Sequence, residues 1–140
     1  MSQTPQTTAG RIEITWPRGR LTATLADTPT ARRLLAALPL EAGANTWGEE
    51  VYFGAPIDAP LERDARQVVD PGTVCFWVQG NSLALPFGPT PLSRGRECRL
   101  VTAANVVGWI DGGDGDAEGG CRALQSVCDG DRIAVRALPQ

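Results

Sequence analysis

Polar and apolar residues alternate one by one along RIEITW (11–16) and again along LTATLA (21–26), with the turn PRG between them. Strict alternation is the period of a half-buried strand, and two such runs around a tight turn predict a β-hairpin. The period then changes. In DTPTARRLLAALP, residues Ala31, Leu34, Leu35 and Leu38 recur at helical spacing. Thr28 suits the N-cap and Pro29 the first helical position, while Pro39 stops the run. This segment predicts a short helix with a leucine stripe on one face.

Further along, ANTWGEEVYF (44–53) reads as a strand that GAPIDAP breaks. LERDARQVV fits either a loop or a short helical turn, and DPG (70–72) is a turn. TVCFWV (73–78) is apolar on both parities, as a strand covered on both faces would be. SLALPF (82–87) is another strand, GPTPLSRGREC is loop, and LVTAANVVGWI (100–110) contains a strand over 104–110. CRALQSVC (121–128) places Cys121, Leu124 and Val127 or Cys128 at helical spacing, and RIAVRAL (132–138) alternates as a last strand. Residues 1–10 read as a flexible tail and 11–140 as a single domain. Seven or eight short strands with two short helices predict a mainly β protein, an antiparallel barrel or sandwich.

DGGDGDAEGG (111–120) is acidic and glycine-rich. Its carboxylates Asp111, Asp114, Asp116 and Glu118 miss the spacing and closing glutamate of a calcium loop. They would also repel a phosphate. A solvated loop is the expectation.

Composition narrows the chemistry. The 140 residues carry a net charge of −3, which argues against a nucleic-acid partner, since such binders present a basic face. No run of about 18 apolar residues exists, so no membrane span is expected. The polar N-terminus has no apolar signal core, which points to the cytoplasm and to reduced thiols at Cys75, Cys98, Cys121 and Cys128. No CxxC pair is present, so no metal site is expected. The chain has no histidine and no lysine; every basic residue is arginine. This removes Ser–His and Cys–His catalysis, Schiff-base chemistry and a P-loop lysine. Acid–base work falls to Asp, Glu, Tyr52, Cys or water, with no cofactor expected.

The ordered segments NTWGEEVYFGAPI, ARQVVDPGTVCFWVQGNSLALPFGPTPLS and ANVVGWI resemble the small bacterial and archaeal cyclophilin-like proteins, whose function is uncharacterised. The resemblance covers nearly the whole chain beyond the tail. It implies a closed antiparallel cyclophilin-like β-barrel of about eight strands with two short helices. It implies no catalytic mechanism. FWVQGNS (76–82) is similar to FMIQGGD of ordinary cyclophilins, but the preceding DPGTVC lacks the histidine and arginine of their FHR motif. A prolyl isomerase of the usual build is therefore not expected; Arg94 or Arg96 would have to stand in from a distance.

Within a single strand over 44–53, Trp47, Glu49, Val51 and Phe53 share one side and Thr46, Gly48, Glu50 and Tyr52 the other. The apolar side predicts Glu49 pointing into the barrel, where burial would raise its pKa towards neutrality. A structural ion pair with an arginine is the alternative. A bulge at Gly48 would shift the role to Glu50 and Tyr52. The candidate catalytic residues are thus Glu49, Glu50 and Tyr52. Trp47, Trp77, Phe87, Arg94 and Asn105 are candidate substrate contacts. The functional expectation is a small-molecule pocket, as an isomerase, cyclase or lyase working by carboxylate chemistry. A non-catalytic module for a small molecule or short peptide and an atypical prolyl isomerase stay open, as does a homodimer paired through edge strands.

Overall fold

The computed structural model describes residues 8–111 and 117–139. The expected hairpin forms from β1 (Thr8–Trp16) and β2 (Gly19–Ala26), registered as Ile12 opposite Ala23 and Ile14 opposite Leu21. These four side chains are fully buried, as their alternation requires. β1 starts inside the stretch read as a tail, and residues 1–7 lie outside the described residues. Helix α1 (Pro29–Ala37) begins where its signals place it: the Thr28 hydroxyl accepts from the Ala31 N–H. Ala31 and Leu34 are buried on its inner face.

The remaining strands are β3 (Leu40–Gly43), β4 (Asn45–Thr46), β5 (Glu50–Gly54), β6 (Arg66–Val69), β7 (Thr73–Trp77), β8 (Ser82–Pro86), β9 (Cys98–Ile110) and β10 (Arg132–Ala137). They form one ten-stranded sheet in the order β3-β10-β1-β2-β9-β7-β8-β5-β4, with β6 paired to β9 off this path. Every pairing is antiparallel. The expected closed eight-strand barrel is therefore corrected. The sheet is not closed, and it holds more strands. Its two end strands, β3 and β4, follow each other along the chain across Ala44, so covalent continuity rather than a ladder spans the gap. The extra strands arise because β3 forms directly after the helix, because 44–53 divides into β4 and β5, and because LERDARQVV supplies β6.

Helix α2 (Ala117–Leu124) starts before the predicted second helix and ends earlier. The chain tightens after it, with Val127 N–H donating to the Leu124 carbonyl. Of the acidic run, Asp111 closes β9 by accepting from Arg11, Thr22 and Thr24. Asp114 and Asp116 lie outside the described residues.

Two apolar clusters flank the sheet. The larger lies on one side and includes Ile12, Ile14, Val51, Phe53, Val74, Phe76, Leu83, Leu85 and Val135. The smaller lies on the opposite face of β5, β7 and β8. There Cys75 and Ala84 meet Val69, Cys98, Leu100 and Ala104, and Tyr52 and Val106 pack against them. β9 makes the second cluster possible. It runs thirteen residues; its C-terminal half pairs with β2 and β7, while its N-terminal half leaves to pair with β6. A bulge allows the change: Val74 faces Gly108 but Cys75 faces Val106, leaving Val107 as the extra residue. The double apolar parity of TVCFWV follows, because both faces of β7 are covered. No helix among the described residues is long and apolar enough to cross a membrane.

Candidate functional site

ANTWGEEVYF is a tight hairpin, not one strand. Asn45 pairs with Tyr52 and Thr46 with Val51. The next rung is closed by the Trp47 N–H donating to the Glu50 carbonyl at 2.9 Å, with Gly48 and Glu49 as the reversing residues. Gly48 has φ +60, a left-handed conformation that glycine adopts without strain. Partners across a ladder project to the same side, so the reversal groups Trp47 with Glu50 and Tyr52, and Val51 with Thr46. Val51 and Phe53 enter the main core. Glu50 and Tyr52 face the second cluster.

This corrects the placement of the two glutamates. Glu49 is exposed at the turn, and it is the backbone of Glu49 that is engaged. Its N–H donates to the Pro89 carbonyl, and its carbonyl accepts from the Phe87 N–H. Glu50 is the buried carboxylate, 6% exposed. It lines a cavity of about 200 Å³ with Trp47, Tyr52, Trp77, Ala84, Leu100, Val101, Thr102 and Ala104. The hairpin supplies Trp47, Glu50 and Tyr52, β7 supplies Trp77, and the departing half of β9 forms the opposite wall.

The aromatic walls are held in place. The Tyr52 and Trp77 rings meet edge to face, with centroids 6.3 Å apart and planes at 89°. Trp77 lies over Gly80, where an added Cβ would come within 2.3 Å of its ring. Among the described residues, two buried side-chain atoms find no hydrogen-bond partner: Glu50 Oε1 and Trp77 Nε1. Both belong to residues lining this cavity. Buried polar groups are almost always satisfied, so an unpartnered acceptor and an unpartnered donor on two residues of one hollow are a specific feature. Burial removes water from the Glu50 carboxyl and pushes its pKa up from 4.5 to about 7. The thiols beneath the second cluster are held neutral by the same desolvation: Cys98 is pushed up to about 11, and Cys75 is raised further.

Three expected contacts lie elsewhere. Phe87 packs half-buried against the main core. Arg94 is exposed on its loop, where its N–H donates to Glu97. Asn105 is fully buried but serves as a latch. Its Nδ2 donates to Thr30 Oγ1 and to the Pro60 carbonyl, both at 2.9 Å, and its Oδ1 accepts from the Glu62 N–H at 2.8 Å. Glu62 in turn accepts from Thr30 at the start of α1. Asn105 thus ties β9 to the helix and to the 60–62 loop. Replacing Asn105 by Ala removes the partner of the Pro60 carbonyl and the Glu62 N–H and is expected to lower stability by about 2 kcal/mol. Equilibrium denaturation checks this, with ligand binding in the Glu50 cavity unchanged.

The cavity residues absent from the sequence expectation are Ala84 and the β9 segment Leu100, Val101, Thr102 and Ala104. Their signal was the β-favouring Leu-Val-Thr run ahead of residue 104. What it lacked was any indication of which face of the sheet it would cover.

The architecture is that of a small β protein with a core on one face of its sheet and an aromatic cavity on the other. A family model, described as cyclophilin-like, matches residues 10–136. The chain belongs to this cyclophilin-like family. It is similar to the solution structure of the hypothetical protein AF2241 from Archaeoglobus fulgidus, at 28% identity and a TM-score of 0.77, covering 96% of this chain and 98% of that one. No curated protein matches it.

Proposed function

We propose that this protein binds a small organic molecule in the outer cavity and exchanges a proton with it through Glu50, in a reaction of the isomerase, cyclase or lyase type. The observation that carries this reading is that Glu50 Oε1 and Trp77 Nε1, both buried and unpartnered, belong to residues lining one aromatic-walled hollow. A carboxyl poised near pH 7 exchanges protons most effectively at neutral pH, because both of its forms are populated. In such a step the Glu50 carboxylate takes a proton from a carbon next to a carbonyl and returns it at another position. The Trp77 N–H is suited to donate to the carbonyl oxygen as negative charge develops there. The rigid walls favour chemistry that depends mainly on positioning. At about 200 Å³ the cavity lies below the usual size of ligand sites, which favours a compact metabolite over a peptide.

A larger hollow of about 380 Å³ lies between α1 and the 59–64 loop, but its Thr30 and Glu62 are already hydrogen-bonded to each other. The second reading, binding without catalysis, draws on the same pocket and differs only in leaving its ligand unchanged.

Native mass spectrometry of the purified protein, followed by identification of any released compound, tests the reading. A small molecule retained by the parent and lost in Glu50→Gln is the expected result. A molecule retained equally by both would remove Glu50 from the site.

A further inference from the structure

The lining of the cavity is chemically one-sided. Of the nine described residues that line it, three are aromatic (Trp47, Tyr52 and Trp77), one is a carboxylate, and none is an arginine. The protein therefore supplies an anion and leaves the countercharge to come from elsewhere. The Tyr52 and Trp77 rings stand at right angles, forming a corner rather than a stack, with Trp47 on the same side of the hairpin as Glu50. Electron-rich ring faces and an isolated carboxylate share one class of complement, a cation.

The same lining narrows the kind of cation. A primary ammonium brings three N–H donors and would need Glu50, Tyr52 and Thr102 all at once among the described lining, yet Thr102 is exposed and its hydroxyl is turned to Gln79. An alkylated ammonium brings few donors or none. It sheds water easily and presents methyl or methylene groups to the rings. The remaining open group, Trp77 Nε1–H, calls for an acceptor on the same ligand.

We propose that the ligand of this cavity carries an alkylated ammonium group, held against the Glu50 carboxylate among the rings of Trp47, Tyr52 and Trp77, with an oxygen that accepts from Trp77 Nε1. This rests on the reading of the cavity as the functional site. In the complex Glu50 is ionised, so it acts towards its ligand as a base.

The pH dependence follows with a definite sign. Free Glu50 is held protonated up to about pH 7 by burial alone. The titratable groups packed around it are the Tyr52 phenol on its own strand, the Cys75 thiol on β7 and the Cys98 thiol on β9. Arg66 on β6 acts on Cys75, and Cys121, Asp70 and Glu49 act on Cys98. Both thiols stay neutral through the range in which Glu50 ionises. A permanent cation must wait for the carboxylate, so its affinity rises with pH across neutrality. A neutral ligand that accepts a proton from the carboxylic acid would do the opposite.

Choline and its uncharged carbon isostere, 3,3-dimethylbutan-1-ol, are the probes. Titration by calorimetry or tryptophan fluorescence is expected to give saturable choline binding at about pH 8, with Kd of roughly 1 mM or tighter. The isostere should bind at least about tenfold more weakly. Choline affinity should fall about tenfold between about pH 8 and pH 6, following the ionised fraction of Glu50. Glu50→Gln should lose choline binding, and Trp77→Phe should weaken it while keeping its pH dependence. Absence of choline binding, or an isostere that binds as well as choline, would overturn the inference. If the isostere binds as well as choline and Glu50→Gln alters its affinity, the cation is wrong and the pocket reading survives. If neither probe binds and native mass spectrometry of the parent retains nothing, both fall together.

Discussion

Glu50→Gln is expected to be more stable than the parent protein above neutral pH, by about 3 kcal/mol, and equally stable in acid. In the unfolded chain the Glu50 carboxyl loses its proton at its ordinary pKa of 4.5; in the folded protein it keeps the proton to about pH 7. Between these values the folded state binds more protons than the unfolded one, so stability falls as pH rises. Below 4.5 both states are protonated and the group takes nothing from stability. Above 7 both are ionised and the full cost of the buried charge is present, about 1.4 kcal/mol for every tenfold change in the proton's affinity for the carboxylate. Glutamine has the shape of the protonated acid and never ionises. The difference between the two stability curves therefore isolates Glu50, because every other titrating group cancels. Urea denaturation at a series of pH values checks it. A difference that stays flat with pH would mean that Glu50 is solvated or paired. Once a substrate is in hand, the same variant is expected to lose about 10²–10⁴-fold in kcat, the usual contribution of a positioned acid or base. A stable but inactive variant is the signature of a group placed for function at the expense of stability.

Gly48→Ala is the second large effect, a loss of about 3 kcal/mol together with loss of ligand binding. Two independent effects act at this position. The residue sits at φ +60, where a Cβ is strained. The added Cβ would also lie 2.9 Å from the Pro89 carbonyl oxygen, from Thr90 Cα and from Pro91 Cδ. Two of these atoms are backbone and the third belongs to a proline ring, so none can swing aside. The loop cannot retreat freely either, because Glu49 is bonded to it through Pro89 and Phe87. The turn must move instead, and with it Trp47 and Glu50, which it holds side by side. Thermal unfolding and probe titration measure the two consequences. Unchanged values in both would show that the turn tolerates a side chain and does not set the site.

The same turn marks the boundary of what was legible in the sequence. β1, β2 and α1 were readable because their signals are local: alternation, a threonine cap, a proline at the first helical position. The family resemblance carried the mainly β, cyclophilin-like architecture, apart from closure of the sheet and the number of its strands. The sides of the 44–53 segment were read for a continuous strand, with a bulge at Gly48 that shifts the role to Glu50 and Tyr52 as the alternative. Treating 44–53 as a continuous strand assigned Trp47 to the side of Glu49, whereas the reversal at Gly48 places it beside Glu50. Side-chain parity has a period of two, so a single undetected turn inverts every assignment before it. That Gly48 could interrupt the strand was visible in the sequence; the form of the interruption, a two-residue turn packed against the Pro89–Pro91 loop, depends on contacts some forty residues away. Asn105 illustrates a different limit. A lone amide in an apolar strand has to be satisfied by something, and the sequence could not separate a ligand from Thr30, Pro60 and Glu62. The second apolar cluster was hidden for a similar reason. The doubled parity of TVCFWV showed that both faces of β7 were covered, but the cover is the N-terminal half of β9, an association set by topology rather than by local pattern.

The most direct measurement is a carboxyl-detected NMR titration of Glu50, assigned by comparison with Glu50→Gln. A midpoint near pH 7 is expected for Glu50, as for a carboxyl desolvated at the wall of the outer cavity. A midpoint near the ordinary 4.5 would mean that Glu50 is not the buried, unpartnered acid on which the proposed site depends.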